Sequence, residues 1–139
     1  MSQPPPRPLA ILAACSDWRL HQKKVRFTEQ IQDQFNVETD LMFLPGPDAL
    51  VTNASRSSEG TCFLAQLTLL IGAHHPAMIV LAPHFDCAGC PATDHSHEDN
   101  AGAMARWVKD KTGFTGAIVY GCAVRKADDD WYFEELGKL

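Results

Sequence analysis

Two short clusters in this chain carry side chains suited to metal chemistry. The first is Cys15-Ser16-Asp17-Trp18-Arg19, where a thiol, a carboxylate and a guanidinium alternate at i, i+2 and i+4. In extended backbone such positions share one side. A carboxylate beside an always-charged guanidinium stays ionised and is held in orientation by forked hydrogen bonds, which makes it a suitable partner for a metal-bound water. The second cluster is His84-Phe85-Asp86-Cys87, an imidazole and a thiol three residues apart. They can close on one small ion, and His with Cys thiolate is a donor set suited to Zn2+. Two donors do not make a site, so at least a third must come from elsewhere. Other readings of the same residues stay open: Cys87-x-x-Cys90 is also the spacing of a dithiol redox pair, and a buried His, an inert Cys and a surface Asp-Arg pair would do no chemistry.

The elements around these clusters decide whether they meet. Leu9–Ala14 is short and apolar and reads as a first buried strand ending at Cys15; Ala77–Ala82, bounded by Pro76 and Pro83, reads as a buried parallel strand that delivers His84 and Cys87 at its carboxyl end. Open α/β sheets place ligand sites there. Between them, Phe27, Ile31 and Phe35 mark an amphipathic helix over 21–35, and Leu41–Leu44 is a strand stopped by Pro45-Gly46-Pro47. Phe63, Leu64, Leu67, Leu70 and Ile71 give a helix over 59–73, capped by Ser57 or Ser58, closed by Gly72 and Pro76, and with Cys62 in its core. His74 and His75 read as partners of that helix end rather than ligands.

Beyond Cys90, residues 91–100 read as a solvated loop in which Ser96 and Asp99 are spaced as a cap, with His95 or His97 as a proton relay the alternative. Ala101, Met104, Ala105 and Val108 mark a helix ending at Gly113, and Ala117–Tyr120 is a further strand with Cys122 just past it. Asp128–Asp130 is a turn, and Trp131–Leu136 an edge strand or last helix. This order predicts a three-layer α/β/α sandwich with a mainly parallel sheet of strand order 2-1-3-4 and an extra edge strand left open. With the first and third strands adjacent, Cys15 and the His84/Cys87 pair meet at the switch point between them.

Composition narrows the function classes. At 139 residues the expectation is one domain over 9–139, preceded by a proline-rich extended lead-in over 1–8. A net charge of −5 leaves no basic stripe for a phosphate backbone, so nucleic acid is not expected as a partner. No apolar run approaches the about 20 residues of a membrane helix, and there is no secretory pattern, so the expected location is the cytoplasm and no membrane partner is expected. Five cysteines, an odd number in such a chain, point to metal binding or catalysis rather than a disulfide framework.

Together, Cys15-x-Asp17-x-Arg19 after the first strand and His84-x-x-Cys87 after a later one resemble the β-class carbonic anhydrases. The resemblance implies one Zn2+ per chain, bound by Cys15, His84 and Cys87. Asp17 would accept a hydrogen bond from the zinc-bound solvent or take the fourth position itself, with Arg19 holding it in place. Three protein ligands leave the fourth place open, as in catalytic zinc sites. The implied reaction is addition of zinc hydroxide to carbon dioxide, giving bicarbonate, in a homodimer or higher homo-oligomer. Pro45-Gly46-Pro47-Asp48-Ala49 stands where that class usually shows an Arg-Asn-Ala-Gly or glycine-rich stretch, so the pocket wall is not carried over. The alternatives are a related hydrolase of carbon disulfide or carbonyl sulfide, a noncatalytic zinc-binding homologue, and a Cys87-x-x-Cys90 oxidoreductase. Cys122 is left out of the ligand set because nothing near it in sequence partners it.

Overall fold

Leu9–Cys15 forms β1 at the centre of a five-stranded sheet, and its interior residues Ala10 to Ala14 are fully buried, as a strand covered on both faces requires. The computed structural model describes residues 7–84, 97–125 and 130–139. On one side β1 pairs in parallel with β2 (Glu38–Leu44), and on the other with β3 (Met78–Ala82). β4 (Ala117–Arg125) runs parallel to β3, and β5 (Trp131–Lys138) returns antiparallel to β4. The order is thus β2-β1-β3-β4-β5, which is the expected arrangement with its edge strand resolved as a strand and not a helix.

Period-two alternation divides the sheet between two cores. Leu12, Ala14, Val80, Ala82, Val119 and Ala123 face α1 (Phe27–Phe35), which inserts Phe27 and Ile31. On the opposite face, Ile11, Ala13, Ile79, Leu81 and Ile118 pack against Phe63 and Leu67 of α3 (Ser57–His74) and Met104, Ala105 and Val108 of α4 (His97–Thr112). A short α2 (Ala49–Thr52) adds Leu50 to the second core. Each of the larger side chains among these, Leu, Ile, Val, Phe or Met, contributes about 1.5–3 kcal/mol by leaving water. The result is the three-layer α/β/α sandwich.

Several boundaries differ from the sequence reading, each for a local reason. The helix expected over 21–35 starts at Phe27, because Arg26 adopts left-handed backbone (φ 52°) and residues Trp18–His21 form a separate 3-10 turn. Ser57 is the first residue of α3 and not its cap; Asn53 caps the preceding turn, its side chain accepting from Ser55 N at 3.1 Å. His75, not Gly72, closes α3: it is left-handed (φ 49°) and its N–H donates to Ile71 O at 3.1 Å. His74 instead meets Asp40 of β2, Nδ1 to Oδ2 at 2.5 Å. Cys62 is exposed rather than core. The helix expected from Ala101 begins at His97, and β4 continues to Arg125, so Cys122 is buried inside a strand and not beyond one.

That extension of β4 depends on Gly121. The β4–β5 register shifts at Tyr120/Gly121, and a methyl group at Gly121 would run into the Glu134 carbonyl and the Phe133 ring. Among the described residues, no helix is long and apolar enough to cross a membrane.

Candidate metal centre

The site lies at the carboxyl end of the sheet and is built from β1 outward. Cys15, the last residue of β1, is 2% exposed. Ser16 N donates to Leu44 O at 3.0 Å, which carries the chain past the end of β2 before it turns. Asp17 then caps the 3-10 turn: its Oδ1 accepts from Arg19 N at 2.9 Å. The Arg19 side chain folds back on the same carboxylate, Nε to Oδ1 at 3.1 Å and Nη2 to Oδ2 at 2.8 Å. The clamp, with three N–H groups on one carboxylate, is made by the 3-10 turn and not by the extended alternation that the sequence suggested. At the end of the turn, His21 Nε2 lies 2.9 Å from Cys15 O and its ring packs on Phe43, centroids 4.3 Å apart, which fixes the backbone that carries the thiol.

The second arm comes from β3. Ala82 pairs with Ala14, so Cys15 and His84 lie one and two residues beyond paired positions on adjacent parallel strands. Pro83 has no N–H to give, but its carbonyl accepts from Ala123 N at 2.7 Å and His84 bridges Ala123, so the register of β3 on β4 continues to the histidine. His84 follows Val80 and Ala82 in the alternation and enters the α1-side core, 1% exposed. Its Nε2 stands 3.4 Å from Asp17 Oδ2.

Arg19 sets the electrostatics. Its side-chain hydrogen bonds, with its backbone N–H and the nearby charges of His84 and Arg19, hold the Asp17 carboxyl at about 2 against the opposing effect of burial. Asp17 is therefore an anion throughout the neutral range, with Oδ2 turned toward His84. A thiol and an imidazole, both buried at the ends of adjacent strands, are zinc donors, so the chemistry of the residues present fits the ion that the resemblance implies.

Of the five residues singled out in sequence, the structure joins Asp17, Arg19 and His84 by side-chain contacts and places Cys15 at the end of the adjacent strand. Cys87 lies outside the described residues, as do Cys90 and His95; His97 opens α4, its side chain outside the description. Among the described residues no three His, Cys, Asp or Glu side chains form a group arranged to hold a metal.

Sequence reasoning missed Trp131. The Arg19 guanidinium lies over its ring, 5.2 Å from the centroid, and the His84 ring meets it at 5.7 Å and 90°. The antiparallel return puts it there: the first residue of β5 pairs with Arg125 at the carboxyl end of β4, the end of the sheet where the site forms. The Pro45-Gly46 turn at the end of β2 is held by Arg56, which donates to Pro45 O at 2.6 Å and Gly46 O at 2.8 Å, and Asp48 just beyond is fully buried. A separate groove of about 410 Å³ between β2 and α3, lined by Leu41, Phe43, Glu59, Cys62, Phe63 and Gln66 among others, includes none of the metal-centre residues.

A family model described as "Putative carbonic anhydrase" matches residues 7–133 of the chain. No curated protein matches it.

Proposed function

Because the chain belongs to this carbonic anhydrase family, we propose that it is a zinc-dependent lyase that hydrates carbon dioxide to bicarbonate, with one zinc per chain held by Cys15, His84 and Cys87. The observation that carries this reading is the 3.4 Å approach of His84 Nε2 to Asp17 Oδ2, two motifs distant in sequence meeting at adjacent strand ends. When bound, zinc supplies the Lewis acidity that makes water a nucleophile near neutral pH.

The chain's own residues do the rest. Cys15 and His84 are buried, so the donors are desolvated and their geometry is imposed by β1 and β3. Asp17 Oδ2 accepts a hydrogen bond from the reacting water and aims its lone pair at carbon dioxide. Arg19 occupies Oδ1 twice and Oδ2 once, which keeps the carboxylate charged and prevents it from rotating. Residues 9–139 act as one zinc-binding domain after a proline-rich lead-in, in the cytoplasm. Assembly as a homodimer or higher homo-oligomer is supported by the β2 edge, on which no further strand pairs among the described residues and where Leu41 and Phe43 are 49% and 39% exposed.

Stopped-flow hydration of carbon dioxide by the zinc-loaded protein between pH 6.5 and 9 tests this, with carbon disulfide and carbonyl sulfide offered in parallel. The expected result is a carbon dioxide rate that rises with pH. Zinc-loaded protein inactive on carbon dioxide but active on either sulfur compound would move the substrate and keep the site; inactivity on all three would overturn the enzyme reading.

A further inference from the structure

We propose that Trp131 is a positioning residue of the metal centre, its indole setting the ring plane of His84 and the seat of the Arg19 guanidinium at once. The inference rests on the zinc reading above and deepens it. Trp131 is 3% exposed and touches both arms of the site: the Arg19 guanidinium lies over the ring at 5.2 Å, and the His84 ring stands perpendicular to it at 5.7 Å. Each contact constrains a soft torsion. The ring torsion of a histidine is broad and roughly two-fold, so a perpendicular indole packed against it selects the plane in which Nε2 points at Asp17. Arginine is long and entropically costly to order, and a cation over an aromatic face fixes it where its fork meets the carboxylate.

The backbone that carries the indole is itself anchored from a third element. Trp131 O accepts from Gln30 Nε2 of α1 at 3.0 Å, and the same amide donates to Val25 O at 2.7 Å, while β5 pairs Trp131 with Arg125. β5 and α1 therefore converge on the backbone of Trp131, whose side chain transmits their position to a donor just after β3 and a clamp after β1. Trp131 donates no ligand and touches no reacting atom; it acts through His84 and Arg19.

The test is zinc affinity, measured by competition with a chromophoric chelator, in wild type, Trp131→Leu and Trp131→Phe, alongside thermal unfolding of the zinc-free forms. Trp131→Leu is expected to weaken zinc binding by about tenfold or more, in the range seen when groups that orient a ligand are lost. Trp131→Phe, which keeps an aromatic face for both partners, should recover most of that loss. A residue that only fills the core would lower the unfolding temperature of both variants and leave zinc affinity unchanged.

A second measurement does not depend on a Trp131 variant folding. Trp18 is 72% exposed and Trp107 stacks on Phe63 in the opposite layer, so Trp18→Phe with Trp107→Phe leaves Trp131 as the sole tryptophan. Its emission should then change in one-to-one proportion with added zinc. A folded Trp131→Leu protein that binds zinc as tightly as wild type, or a sole Trp131 whose emission is unmoved at zinc saturation, overturns the proposal and leaves the zinc site standing. Wild type that binds no zinc removes the reading beneath it, and this inference with it.

Discussion

His84→Ala should purify with almost no zinc and with turnover reduced by several orders of magnitude. The histidine is the buried imidazole of the site, held on the β3–β4 register and turned toward Asp17. Removing it would leave only the proposed thiolate donors of Cys15 and Cys87, and a two-donor remnant cannot retain an ion that zinc sites hold with three or four. The same loss is expected of Cys15→Ser, since a hydroxyl is a far poorer zinc donor than a thiolate. Truncating a fully buried side chain also opens a cavity, which for large aliphatic residues costs about 2–5 kcal/mol. His84→Gln, which fills most of the volume, therefore accompanies the alanine variant. Elemental analysis and circular dichroism of all three decide the matter: folded protein without zinc is the expected outcome, and folded His84→Gln protein with one zinc per chain would remove the histidine from the ligand set.

Asp17→Asn carries the second large effect, of a different kind. Zinc content and folding should stay close to wild type while turnover falls by about tenfold or more, as when a group orienting a metal site is lost. The geometry explains why an isosteric change is costly. Oδ1 accepts two Arg19 N–H groups, so the asparagine oxygen is drawn there, and the amide NH2 falls where Oδ2 faced Arg19 Nη2 and His84. The acceptor proposed to receive the hydrogen bond of the reacting water becomes a donor, and it opposes another donor on Arg19. Turnover and metal content measured on the same preparation separate this from a ligand defect. Asp17→Asn that turns over at the wild-type rate would show the carboxylate to be a structural ion pair.

Much of this site was readable in the sequence because its parts sit where periodicity is strong. Leu9–Ala14 and Ala77–Ala82 are continuous apolar runs with abrupt ends, so the residues that follow them are expected at the carboxyl end of a parallel sheet. Cys15, Asp17, Arg19 and His84 followed from that. The region before α1 reads as helix in sequence, because Lys23, Lys24 and Arg26 are good helix formers and nothing local announces that Arg26 turns left-handed. The start of α4 was placed four residues late, since the Asp, Ser and His residues before Ala101 suit a loop as well as a first helical turn. Trp131 was invisible for a stronger reason. Its contacts join β5 to residues more than forty positions away, and a non-local aromatic contact leaves no mark on local patterning.

The central claim is that one zinc sits between Cys15, His84 and Cys87, and zinc-edge X-ray absorption on the purified protein tests it most directly. The account predicts a four-coordinate ion with two sulfur neighbours at about 2.3 Å and one imidazole nitrogen at about 2.0–2.1 Å, completed by a light atom. A well-folded protein that takes up no zinc on reconstitution, or a shell made of sulfur alone, would contradict it.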